Sequence, residues 1–318
     1  MQNLLTVATQ VGILFALMAL GAICRKTRLV DEKSAKGMIN VLILFVTPCL
    51  IIDVFQRPFD ASMLRAFALA LAIAAGIHLA LIALAKLVCR GDAKTLPVLE
   101  LACVFSNAGF MGVPLEAAIL GPTGVFYGVV YVAIFNLFIW SWGLCRMKGD
   151  SLRAMDARQL RLMFVNPGTL GLVAGLPLFL GSVTLPTILR EPIHLMAGLN
   201  TPLAMIVIGF FLAGTDLRRV VKSPSAQLAA GVRLVASPLL VLAALMPFRA
   251  VLESQMVLAV VIASAAPVAA MVTMFAAKYE RDVDLSVGLV SGTTLLSMFT
   301  MPPIIALAME WLQRLHGT

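Results

Sequence analysis

The chain has 318 residues, of which 61% are hydrophobic and only 13% charged, and its formal net charge is +8. Soluble domains carry about a quarter of their residues as charges, and the apolar runs here are too long for core helices. The composition therefore describes an all-α polytopic membrane protein. A nucleic-acid partner is excluded, because the Lys and Arg residues lie in short loops between apolar runs and form no basic patch interleaved with aromatics.

Ten segments of roughly 20 residues are predicted to cross a membrane: 4–24, 36–55, 63–88, 97–119, 123–145, 164–181, 194–214, 224–246, 253–278 and 284–309. The first is followed by basic residues and has no small-residue cleavage site, so it reads as a membrane helix and not as a removable signal. Span 2 contains Thr47-Pro48, and span 3 places His78 near its middle. Span 4 is broken by Phe105-Ser106-Asn107-Ala108-Gly109-Phe110-Met111-Gly112-Val113-Pro114, and span 5 opens on Gly124-xxx-Gly128. A basic segment over 146–161 follows, read as a positive-inside linker or as a short interfacial helix on the cytoplasmic leaflet. Span 7 contains Thr201-Pro202, span 8 carries Arg233, span 9 is broken at Ser264-Ala265-Ala266-Pro267, and span 10 contains Gly288-xxx-Gly292.

Charge sets the expected orientation, because short loops rich in Lys and Arg stay in the cytoplasm. The loops after spans 1, 3, 5, 7 and 9 hold 18 basic residues, and the opposite side holds five: Arg57, Arg65, Arg190, Arg249 and Arg314. Both termini are therefore expected outside. Four features recur in the same order at similar offsets: Thr47 with Thr201, His78 with Arg233, Ser106 with Ser264, and Gly124 with Gly288. An odd number of spans per half makes the halves point in opposite directions. The expected organisation is two inverted five-helix repeats, 1–145 and 164–309, joined by a basic linker, 146–163, and followed by a short tail, 310–318.

The two breaks are where binding chemistry is expected. In hydrocarbon every backbone N–H and C=O needs a partner, so a helix is interrupted at membrane depth only where protein or a water-filled cavity covers it. A Pro kink used for packing looks the same when it occurs once; two breaks in corresponding positions of two halves point to a transporter site. A half-helix that starts at mid-membrane aims N–H groups with partial positive charge into the cavity. Those groups lie around Gly109, Phe110 and Met111 in span 4 and around Val268 and Ala269 after Pro267 in span 9. Asn107 adds an uncharged hydrogen-bonding amide. A small carboxylate is the ligand these groups suit, and Na+ on the C-terminal carbonyls of the same half-helices is the rival.

Ionisable groups inside spans are costly and are read as functional. Arg233 either balances the charge of an anion or pairs with a neighbouring helix. His78 either carries a proton or is a neutral, hydrogen-bonded core residue. Asp53, Glu100 and Glu116 lie nearer span ends and are expected at a hydrated rim. Catalytic signatures are absent: Gly288-Leu-Val-Ser291-Gly292 does not fit G-x-S-x-G, and the three histidines have no HExxH spacing. Neither a P-loop nor a zinc or disulfide pattern is present, since the five cysteines form no CxxC pair. No cofactor or metal is expected.

Several of these runs together resemble the auxin efflux carrier family, which includes plant PIN-type carriers and bacterial malate or malonate permease-like members. The resemblance rests on Leu44-Phe45-Val46-Thr47-Pro48, on Ser106-Asn107-Ala108-Gly109-Phe110-Met111-Gly112-Val113-Pro114-Leu115, on Thr201-Pro202-Leu203-Ala204-Met205-Ile206-Val207-Ile208-Gly209, and on Ala263-Ser264-Ala265-Ala266-Pro267-Val268-Ala269, with Ala277-Lys278-Tyr279 and Asp282 after it. It implies a scaffold domain and a transport domain built on two crossing broken helices, with an elevator-like motion between them. Carried over, it makes Asn107 and the Pro267 break the substrate contacts, with Ser106, Gly109, Phe110, Pro114, Ser264 and Val268 around them. The long cytoplasmic loop of the larger plant members is missing, and Ala265 and Ala266 stand where a polar partner for Asn107 would be expected. The reading is a carrier of a small organic anion such as malonate, malate or an auxin-like carboxylate in the cell inner membrane, in contact with lipid and able to pair as a homodimer. The alternatives are a Na+-coupled symporter resembling the bile acid carriers, and a membrane sensor or scaffold that transports nothing.

Overall fold

The computed structural model describes residues 2–151, 155–157, 161, 164–248 and 251–313. The elements among the described residues are all helices, and seven stretches are long and apolar enough to cross a membrane. In chain order the helices are α1 (Gln2–Lys26), α2 (Glu32–Phe55), α3 (Ala61–Val88), α4 (Leu96–Val104), α5 (Ala108–Lys148), α6 (Pro167–Leu180), α7 (Thr187–Leu212), α8 (Arg218–Lys222), α9 (Pro224–Phe248), α10 (Ser254–Ala265), α11 (Met271–Lys278) and α12 (Val283–Gln313).

Local chemistry sets the helix ends. Asp31 accepts from the Ser34 N–H and starts α2, Asp60 accepts from Ser62 and starts α3, and Asn166 accepts from Thr169 to start α6. Each side chain satisfies one of the N–H groups that a first helical turn leaves without an acceptor. α5 is a hairpin and not one rod: Gly121, at φ 66° and ψ −157°, turns the chain just before Pro122. Its outgoing arm, 108–120, and return arm, 122–148, then run side by side. Glu116 lies against Gly128, Gly109 against Val132, and Phe105 just before the arm against Gly143. Spans 4 and 5 of the sequence reading are α4 with the two arms of this hairpin.

α7 begins earlier than expected, at Thr187, because an amphipathic stretch with exposed Leu189 and Leu195 precedes the apolar one. The short α8 was not anticipated. α5 ends at Lys148, where Gly149 takes a left-handed C-cap conformation (φ 87°). In the segment considered for an interfacial helix, 146–161, Ala157 and Arg161 are helical, and residues 152–154 and 158–160, with 162–163 after it, lie outside the described residues. So do Arg249 and the tail from 314 onwards, with Arg314.

Two close helix contacts organise one side of the molecule. α1 meets α7 where a methyl group on Gly21 would fall 1.9 Å from the Ile206 carbonyl oxygen, and one on Gly209 would fall 1.9 Å from that of Met18. α2 meets α6 through Gly171, whose added methyl would lie 2.9 Å from Pro48 Cα, and through Gly175 over Phe55. Small residues let helix backbones approach in this way when no hydrophobic drive separates helix from lipid. The outward faces of α1, α2 and α3 expose Leu5, Ile13, Leu20, Leu44, Phe45, Leu69 and Leu79, as surfaces solvated by hydrocarbon do. The glycine pairs of spans 5 and 10 are filled from within the chain: Gly124 and Gly128 by Leu120 and Glu116, Gly288 by Val220.

Candidate functional site

α4 and α10 both stop in the interior. Phe105 leaves helical geometry at φ −98°, ψ 108°, and Ala266 does so at φ −63°, ψ 150°. Pro267 explains the second stop: its ring disfavours helical geometry in the preceding residue, and it has no N–H to continue the ladder. The extended segments after the two helices lie antiparallel and pair, with Ser106 opposite Val268. The Asn107 N–H donates to the Pro267 carbonyl (2.6 Å), and the Ala269 N–H donates to that of Phe105 (2.9 Å). The Val268 N–H donates to Thr293 Oγ1 of α12 at 3.0 Å. Interrupted backbone that would otherwise be stranded in an apolar interior is thus satisfied largely by the other interruption.

The carbonyl ends of both stopped helices converge on Arg233, which is fully buried. Its Nη1 donates to the carbonyls of Val104 (2.9 Å) and Cys103 (3.2 Å), and its Nη2 donates to Ser237 Oγ (2.7 Å) and to the Ser264 carbonyl. A helix C-terminus carries partial negative charge and four carbonyls without intrahelical partners. One planar guanidinium serves two such ends because its five donors form a rigid fork. Arg233 itself lies in a five-residue π-helical stretch of α9, Val232–Ala236. The guanidinium is thus bonded to two neighbouring helices.

The opposite poles belong to the helices that restart. The α5 outgoing arm begins at Ala108, and the Asn107 carbonyl accepts from the Met111 and Gly112 N–H groups. Gly109 and Phe110 are partly exposed, as are Ala270 and Met271 at the start of α11. The Asn107 side chain is 6% exposed and makes no hydrogen bond among the described residues. Ser106, Pro114, Ser264, Pro267 and Val268 are all buried. Ser264 Oγ donates to the Val261 carbonyl of its own helix, and Ser106 Oγ is left without a partner. The structure thus brings Ser106, Asn107, Gly109, Pro267 and Val268 to one crossing. It gives the Val268 N–H to Thr293, a residue that sequence reasoning missed.

His78 lies in an aromatic enclosure, stacked on Phe138 with ring centroids 5.2 Å apart and tilted against Tyr131 at 5.1 Å. Its Nδ1 is 2.8 Å from the Ala74 carbonyl, so Nδ1 is the donor, and Nε2 is buried without a partner.

The rim expected for three acids holds for one of them. Asp53 is 3.0 Å from His194 on a partly open surface beside Gln56, Arg57 and Asp60. Glu100 is instead buried and pairs with Arg146. Glu116 is fully buried with both oxygens unpartnered, because the α5 hairpin folds the return arm over it.

Over an alignment of 215 residues that covers 64% of this chain and 65% of the relative, the chain is 28% identical to an uncharacterized transporter of Methanothermobacter thermautotrophicus. The model of the membrane transport protein family matches residues 6–305. With a match over nearly its whole length, the chain belongs to the membrane transport protein family, the group of the auxin efflux carrier-like proteins.

Proposed function

We propose that this chain is a secondary transporter that carries a small organic anion, a dicarboxylate such as malonate or malate or an auxin-like carboxylate, across the cell inner membrane. The observation that carries the reading is the paired interruption of α4–α5 and α10–α11. It leaves the partly exposed starts of two helices and the unbonded Asn107 amide at one place. Helix N-termini supply N–H groups and partial positive charge, and an amide adds a hydrogen bond without a competing charge.

The finer architecture is ten membrane helices as two inverted repeats with both termini outside, the α4 break answering the α10 break. The group formed by α1, α2, α6 and α7 is the scaffold, and the elements around the crossing move against it as an elevator. A Na+-coupled symporter is the reading that the geometry favours less. The carbonyl ends on which a cation would rest already receive the Arg233 guanidinium, and a second positive charge there would be repelled.

The test is uptake of radiolabelled malonate, malate and indole-3-acetate into proteoliposomes, with and without a Na+ gradient. Accumulation of one anion without Na+ is expected. Strict Na+ dependence would assign the protein to the symporter class, and no uptake of any anion by verified proteoliposomes would contradict the carrier reading.

A further inference from the structure

Six buried polar atoms without hydrogen-bond partners belong to residues grouped about the crossing: Glu116 Oε1 and Oε2, Tyr131 Oη, Ser106 Oγ, Arg233 Nε and His78 Nε2. Tyr131 lies beside His78, with ring centroids 5.1 Å apart. It also faces Ser106, although the two hydroxyls fall short of a hydrogen bond. The end of this series is Glu116. Its carboxyl group lies on the bare backbone of Gly128, where a methyl group would come within 1.5 Å of Oε2 and 3.0 Å of Oε1. Gly112 leaves room on the other side, its added methyl 3.8 Å from Oε1. Two glycines therefore shape a seat for an acid that no donor serves.

A carboxylate sealed from water without a donor or counter-charge costs several kcal/mol, whereas the neutral acid is tolerated. The titratable and charged groups on the surrounding elements do not relieve this. The return arm presents Tyr131 and Tyr127, and Tyr127 donates to Glu253 ahead of α10. α3 presents His78, whose Nδ1 is committed to Ala74, and α9 presents Arg233, whose Nη groups are committed to the helix ends and to Ser237. α2 contributes Asp53, with Arg57 after it, at the open surface. α7 carries Arg190, Glu191 and His194 in its exposed first turns, and α6 and the apolar part of α1 carry no charge.

We infer that Glu116 is a proton-binding site that couples anion movement to the pH gradient. In the sealed state the side chain holds one proton on a carboxyl oxygen. When the elevator motion proposed above opens the seat to water, the O–H bond breaks, the electron pair stays on the carboxylate and the proton passes to solvent; the reverse step reloads it. One proton then accompanies each anion. The inference rests on the transporter reading for its coupling role but not for the proton site itself.

Two measurements separate the two. Infrared difference spectra of the native protein in liposomes, between acid and alkaline buffers, should contain a reversible carboxylic-acid C=O band that is lost in Glu116→Gln and shifted in Glu116→Asp. The Asp variant keeps the assignment available if Gln does not fold. In proteoliposomes, the ratio of malonate uptake driven by a pH gradient to malonate exchange at equal pH should exceed one for the native chain and fall to about one for Glu116→Gln. A band that survives in Glu116→Gln, or that never responds to buffer pH, would overturn the proton site. An unchanged ratio in the variant would overturn the coupling role. Absence of transport by the native chain would remove the coupling role and its transporter premise, and the infrared result would still decide the site.

Discussion

Arg233 is the residue on which the crossing depends. Charge-assisted hydrogen bonds are worth about 1.5–3 kcal/mol each, and here they join α9 to the ends of both α4 and α10. Removing the side chain strands buried carbonyls, so Arg233→Ala should lower the thermal unfolding midpoint of the purified protein in detergent by many degrees. Arg233→Lys should restore only part of it, because an ammonium group has the charge but not the planar fork. A midpoint equal to native for Arg233→Ala, read by intrinsic fluorescence, would show that the helix ends do not need it. The sequence exposed Arg233 as an ionisable group inside an apolar span. Its partners were invisible, since Cys103, Val104 and Ser264 contribute only backbone carbonyls, which no side-chain pattern encodes.

At the scale of elements, glycines decide which helices can touch. Gly209 of α7 has the Met18 backbone directly over it, and backbone cannot move aside as a flexible side chain can. Gly209→Ala should destabilise the protein by about 1–3 kcal/mol, the usual range for an overpacked contact. Gly231→Ala has open space and should stabilise α9 by up to about 1 kcal/mol through helix propensity. Opposite signs for the two substitutions in one melting assay are the expected result. A Gly209→Ala midpoint at or above native would mean that the α1–α7 contact carries no specific packing.

Most helices were legible because a membrane span is written in a contiguous apolar run, and both breaks were legible because Gly and Pro act locally. The hairpin at Gly121 was legible too, as the gap between spans 4 and 5. The seat of Glu116 was not, because a position near a span end looks like a rim until the return arm is seen to cover it. Asn107 could be chosen from its place in the break, whereas Thr293 could not: nothing in α12 marks the hydroxyl that receives the Val268 N–H.

For the whole molecule, the distribution of Lys and Arg predicts the orientation in the membrane. In a cysteine-free background, Gln2→Cys should react with an impermeant thiol reagent added outside intact cells. Lys94→Cys should react only after permeabilisation. Reversal of that pattern would invert the assignment of the basic loops to the cytoplasm. The basic side is tied together by Arg281, which donates to the carbonyls of Met147 and Ala93, and by Arg219, which pairs with Asp282, so the loop before α4, the end of α5, α8 and the loop between α11 and α12 are braced on one face. Movement of the crossing as a unit is compatible with that bracing, since Arg233 and the paired breaks hold α4, α9 and α10 together.

The measurement that tests the account most directly is uptake of malonate, malate and indole-3-acetate by the native chain and by Asn107→Ala, reconstituted at equal density. The account predicts that at least one anion is accumulated by the native chain and that Asn107→Ala, inserted and melting normally, reduces that uptake at least tenfold. Equal uptake by the two would contradict the claim that the crossing of the broken helices is where the anion is held.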